Sequence, residues 1–156
     1  MEIRNAEAKD MKRLGHIMVV SFRDAFSSFI SQQTMEENAQ EDRCTALLEG
    51  LYAQGKMHFL IGDTNGMLVW QQTEEGAEIV AIHSLPESWG SGLGQAMLKR
   101  ALEQIGNGKV FLWAFKENGR ARRFYEKNGF CFDGSERISE FDGAVEVRYV
   151  RENHHE

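Results

Sequence analysis

The chain of 156 residues is 42% hydrophobic and 27% charged, with one proline, a formal charge of −6 and a pI near 5.4. This is globular composition for one domain over residues 1–156; it excludes a disordered chain, and the acidic balance argues against nucleic acid or an anionic membrane surface as a partner. No apolar run approaches the roughly 20 residues of a membrane helix, no apolar signal core opens the chain, and two cysteines, Cys44 and Cys131, suit neither a disulfide framework nor a four-ligand zinc site.

Met1 to Asn5 alternates and reads as a first strand. Leu14, Met18, Phe22, Ala25 and Phe29 then recur at helical spacing, the mark of an amphipathic helix. Thr34 with Glu37 fits a capping box and predicts one helix through Met35, Ala39, Leu47, Leu48 and Leu51, stopped by Gly55. Strand-like runs follow at Met57 to Gly62 and Met67 to Gln72, joined across Asn65-Gly66, a hairpin signal, and a third run covers Glu78 to Leu85. A helix over Gln95 to Ile105 ends at Gly106-Asn107-Gly108, and Lys109 to Phe115 is a dense apolar strand for a sheet interior. Asn118 caps a helix through Lys127, with Gly129 at its C-terminal turn. Strands Phe130 to Phe141 and Ala144 to Val150 meet at Asp142-Gly143, and Asn153 to Glu156 reads as a frayed polar tail. The order β-α-α-β-β-β-α-β-α-β-β implies a mixed α/β sheet with helices on both faces.

The chemistry begins at Trp89-Gly90-Ser91-Gly92-Leu93-Gly94-Gln95, ahead of a helix. Alternate glycines admit a close ligand, and the helix start offers free N–H groups and a positive dipole end. The spacing excludes a Rossmann fingerprint, since Met97 and Gln95 stand where glycine or alanine is required, and no Gly-Lys-Ser/Thr closes a Walker loop. On these residues alone the turn is either a phosphate cradle or a tight structural turn.

Pro86 to Gly94 resembles the acyl-CoA loop of the GCN5-related N-acetyltransferases, Gln/Arg-x-x-Gly-x-Gly/Ala; Gly92 and Gly94 match, while Trp89 stands at the Gln/Arg position. A second segment, Asn118 to Phe130, fills every fixed position of that family's Asn-x-x-Ala-x-x-Phe-Tyr-x-x-x-Gly-Phe pattern with Asn118, Ala121, Phe124, Tyr125, Gly129 and Phe130. The two cover about a third of the chain.

The resemblance implies a cytoplasmic N-acetyltransferase, monomer or homodimer, with acetyl-CoA as co-substrate and an amine acceptor, and no nucleic acid, membrane or metal. The strands Glu78 to Leu85 and Lys109 to Phe115 are expected to splay and admit the pantetheine arm, pairing with backbone groups of Ile82 and Ser84. Trp89 to Gln95 face the pyrophosphate, Trp89 through its backbone only, and Asn118, Ala121, Phe124 and Tyr125 complete the cofactor side. Tyr125 is expected to donate to the departing sulfur and the Ser84 N–H to hold the oxyanion. The base is Glu78, His83 or water. Phe22, Phe26 and Phe29 are either core or acceptor-pocket walls, and Ala25, Glu36 and Glu37 are further candidates to face the acceptor. The competing readings are a non-catalytic acyl-CoA-binding module on the same fold and an unrelated α/β nucleotide-binding protein.

Overall fold

The computed structural model describes residues 1–154. Strands are β1 (Ile3–Asn5), β2 (Met57–Gly62), β3 (Gly66–Thr73), β4 (Gly76–Ser84), β5 (Gly108–Phe115), β6 (Cys131–Ile138) and β7 (Val145–Asn153). Helices are α1 (Met11–Phe26), α2 (Gln32–Asn38), α3 (Glu41–Gln54), α4 (Leu93–Ile105) and α5 (Gly119–Lys127). One sheet runs β1-β2-β3-β4-β5-β7-β6, and only β4 and β5 pair in parallel. The α4 crossover between them dictates this, since parallel neighbours need such a connection.

Side-chain alternation assigns the two faces. In β2 and β3, Leu60, Leu68 and Trp70 pack with Leu93, Met97 and Leu98 of α4, while Phe59, Ile61, Met67 and Val69 pack with Leu14, Ile17 and Leu48 of α1 and α3. Burial on both faces explains why these strands read as nearly continuous apolar runs. Glycine permits close approaches: a Cβ on Gly15 would stand 2.3 Å from Thr45 Oγ1, and one on Gly66 2.7 Å from Met97 Cε.

Four local expectations are corrected. The stretch after Ile30 forms two helices, because Ser31, not Thr34, caps α2, its hydroxyl accepting from Thr34 N–H at 3.2 Å. Thr34 is instead tied to Asp142 of the β6–β7 turn, and Ala39 breaks the helix with its carbonyl accepting from Arg23 at 3.1 Å. The β2–β3 turn places its left-handed residues at Asp63 and Thr64, leaving Gly66 inside the strand where Met97 packs. β6 is shorter than expected and is a sheet edge, β7 lying between it and β5. Asn153 is no frayed tail: it is 2% exposed and its side-chain amide donates to the carbonyls of Leu102 and Gly106, closing the end of α4. His155 and Glu156 of that tail lie outside the described residues.

Candidate active site

The sheet opens where β4 and β5 part. They pair only at Ala77–Val110, Glu78–Phe111 and Ile79–Leu112, although β4 runs on to Ser84 and β5 to Phe115. The cause is a bulge. Against β3, Trp70 faces Ile79 and Val69 faces Ala81, so Val80 has no partner residue and β4 bends there.

Backbone direction beyond the bulge follows from one bond. Leu85 N–H donates to the Asn65 carbonyl at 2.8 Å, on the β3 side. Alternation then turns the N–H and C=O groups of Ile82 and Ser84 to the opposite edge, toward β5. The Ser84 carbonyl receives the Trp89 indole N–H at 3.0 Å.

The gap leads to the start of α4. Gly90 and Gly92 hold φ of +79° and +89°, and the first backbone bond of the helix runs from Ala96 N–H to Gly92 C=O. The N–H groups of Gly94 and Gln95 therefore remain at the helix mouth, beside that of Leu93, which leans 3.3 Å toward Ser91 Oγ. A Cβ on Gly94 would meet Phe124 at 3.5 Å, so α5 stands directly behind the turn. Arg120 stacks its guanidinium 3.7 Å above the Trp89 ring, with burial lowering its pKa from the ordinary value. The loop is thus lined by amide donors and one oriented cation, a combination suited to phosphate.

On α5, the Asn118 side chain accepts from Ala121 N–H at 3.2 Å and fixes the first turn. Tyr125, one turn after Ala121, is 8% exposed and lines the cleft with Asn118, Ala121 and Phe124. Its hydroxyl makes no hydrogen bond to another described residue, and burial pushes its pKa up, so the phenol keeps its proton. Tyr149 differs: its hydroxyl accepts from Arg122 Nε and donates to Glu126, each at 2.9 Å.

His83 also lines the cleft, its ring 6.1 Å from that of Phe26, and burial pushes its pKa down to about 4. Glu78 sits where β4 and β5 are still paired, accepts from Gln71 at 3.0 Å, and is not among the residues lining the cleft. Phe22, Ala25 and Phe26 line it, whereas Glu36 and Glu37 lie along α2, accepting from Gln32 and Gln33. Phe29 packs on Phe26 and Phe115 at 5.6 and 5.1 Å. The whole cleft encloses about 780 Å³.

The sequence profile of the Acetyltransferase (GNAT) family matches residues 14–130. The chain belongs to the GNAT family. An uncharacterized N-acetyltransferase from Archaeoglobus fulgidus is 29% identical over 133 residues, spanning 80% of this GNAT chain and 89% of that protein. Two solved structures share the fold. The PaiA N-acetyltransferase from Thermoplasma acidophilum, in complex with coenzyme A, aligns with a TM-score of 0.79 at 19% identity over 97% of this chain and 98% of that one. The ribosomal-protein-S18-alanine N-acetyltransferase from Escherichia coli aligns at 0.67 and 18% identity, over 99% and 95%.

Sequence reasoning gave Trp89 a backbone role alone; its indole in fact ties the loop to the end of β4 and supports Arg120. Arg120 was missed, yet it carried a signal. A cation in the first turn of a helix opposes the dipole, so a nearby anion site was a readable reason for it. The Val80 bulge carried none.

Proposed function

We propose that this GNAT protein is an acetyl-CoA-dependent N-acetyltransferase that moves the acetyl group directly onto a primary amine. The observation that carries this reading is the gap between β4 and β5: gap-facing backbone of Ile82 and Ser84 at one wall, the amide-lined start of α4 at its mouth, and the unpartnered Tyr125 hydroxyl on the α5 side.

The pyrophosphate meets the N–H groups of Gly92 to Gln95 and the Arg120 guanidinium. The pantetheine extends from there into the gap and pairs with β4 as an added strand. Ser84, bonded to Trp89, stands at the phosphate end, so the thioester lies nearer the bulge. The oxyanion donor therefore moves from Ser84 to the N–H of Ile82, and Ser84 N–H serves the pantetheine.

The amine nitrogen attacks the thioester carbon, the C–N bond forms, and collapse of the tetrahedral centre expels the thiolate. Tyr125 donates a hydrogen bond to that sulfur. Against a thiol pKa near 8.5 a phenol near 10 is already about 2 kcal/mol short of full transfer, and burial widens the phenol's side of that gap. The bond that strengthens as charge reaches sulfur is the catalytic contribution.

Magnitudes also bear on the base. Passing a proton from an ammonium of pKa about 10 to an imidazole of pKa about 4 is uphill by roughly 8 kcal/mol, whereas taking the neutral amine from water at pH 7 costs roughly 4 kcal/mol. The amine therefore enters neutral and loses its second proton to water, with His83 as a hydrogen-bonding partner. Glu78 reaches the amine through water only.

Thiol release from acetyl-CoA over a panel of amines, with the acetylated amine identified by mass, tests this reading. CoA protection against melting together with turnover is expected. CoA binding without turnover of any amine would leave a binding module, and protection by ATP or NAD in place of CoA would remove the acyl-CoA reading altogether.

A further inference from the structure

β4 divides the cleft into two unlike halves. The glycine turn, Arg120 and Tyr125 occupy one. On the other, α1 and α3 present Met18, Phe22, Phe26, Leu47 and Leu51. Phenylalanine rings cluster there: Phe26 lies 5.1 Å from Phe22 and 5.1 Å from Phe115, and Phe22 lies 5.3 Å from Phe141, centroid to centroid. The mouth is apolar as well, since Leu47 and Val80 line it while 50% and 42% exposed.

Charge is placed elsewhere. Among the described residues lining the cleft, the charged side chains are Arg120 and Lys127 of α5 and Glu146 of β7. Glu146 already receives Arg137 Nε at 2.9 Å. The α1–α3 wall adds neither carboxylate nor cation. Two polar side chains interrupt it: His83, and Ser21, a 3% exposed residue whose hydroxyl has no hydrogen-bond partner.

We infer that the acceptor is a monoamine with an aryl or alkyl body, its amino group meeting Ser21 and His83 and its body lying against Phe22, Phe26 and Leu47. This rests on the acetyltransferase reading. A second ammonium, a carboxylate or a ring of hydroxyls entering this half would lose water and find no partner, which is costly for a hydroxyl and far more so for a charge. An apolar body gains from the same burial. The wall that welcomes a monoamine thus excludes polycationic and amino-acid acceptors.

Matched pairs isolate the effect. Initial rates of thiol release from acetyl-CoA are measured with hexylamine against 1,6-diaminohexane, and with 2-phenylethylamine against phenylalanine, each product confirmed by mass. The monoamine is expected to exceed its charged counterpart in kcat/KM by roughly 100-fold, the order of effect expected for one uncompensated charge. Leu47→Glu, at an exposed position of the mouth, should raise diaminohexane relative to hexylamine by roughly 10-fold and leave the KM for acetyl-CoA unchanged. Equal or better turnover of diaminohexane or phenylalanine by the native protein overturns the acceptor class while sustaining acetyl transfer. No N-acetyl product from any of the four, with CoA bound, overturns the acceptor class, and the transferase reading falls with it only if the wider amine panel also gives no acetylated product.

Discussion

Two tyrosines six ångströms apart give opposite expectations, and their contrast tests the assignment of Tyr125; the ring centroids of Tyr125 and Tyr149 are 6.3 Å apart. Tyr125→Phe removes a hydroxyl that holds no described partner, so the stability change stays within about 1 kcal/mol of zero. Its loss should appear in kcat, by roughly 10- to 1000-fold, or about 1.4–4 kcal/mol of transition-state stabilisation. Binding of acetyl-CoA should be nearly unchanged, because the bond in question forms only as charge reaches sulfur. Tyr149→Phe does the reverse. It strips a partner from Arg122 Nε and Glu126, each 2.9 Å away, and should cost about 1–3 kcal/mol of stability with kcat within a few-fold of native. Urea unfolding of both variants and single-turnover thiol release supply the two axes. Full kcat in Tyr125→Phe, on an amine the native protein acetylates, refutes the donor role and leaves Tyr125 a packing residue.

Arg120→Ala should raise the KM for acetyl-CoA by roughly 10- to 100-fold with little change in kcat, and Trp89→Phe, which keeps a ring for the stack but loses the bond to Ser84, should raise it less; calorimetric titration with CoA checks both. Gly92→Val should abolish CoA binding in a folded protein, since φ is +89° and the nearest atom to a new Cβ is 3.8 Å away; unchanged CoA affinity would remove the phosphate cradle. His83 makes acid sensitivity calculable. Its folded pKa of about 4 lies below the unfolded value near 6.5, so between these the unfolded chain binds the extra proton and stability falls as pH falls. The loss is at most about 3 kcal/mol, and His83→Gln should flatten that part of the urea-unfolding profile between pH 7 and 4.5; the native slope persisting in the variant would contradict the burial of a neutral ring.

The pattern of hydrophobic residues carried the sheet and its helices because burial on one or two faces imposes a period that sequence displays directly. The two glycine- and asparagine-marked helix starts were legible for a similar reason: Gly92 and Asn118 satisfy local backbone needs. What escaped was set by distant partners. Thr34 is drawn instead to Asp142, more than a hundred residues away, while Ser31 caps α2, and Asn153 became a buried cap for α4 because β7 carries it there. The Val80 bulge, on which the opening of the sheet depends, arises from register against β3 and leaves no mark in a run of Glu-Ile-Val-Ala-Ile. The division of the cleft into a polar and an apolar half likewise required knowing which side of β4 faces α1.

Amide hydrogen exchange along β4 addresses the central claim, the entry of the pantetheine as an added strand, without knowledge of the acceptor. Ala81 and His83 share the orientation of Leu85 toward β3, whereas Ile82 and Ser84 face the gap. Saturating CoA should slow exchange at Ile82 and Ser84 by at least about 10-fold and leave Ala81 and His83 unchanged. Exchange at Ile82 and Ser84 that is indifferent to bound CoA would contradict the account.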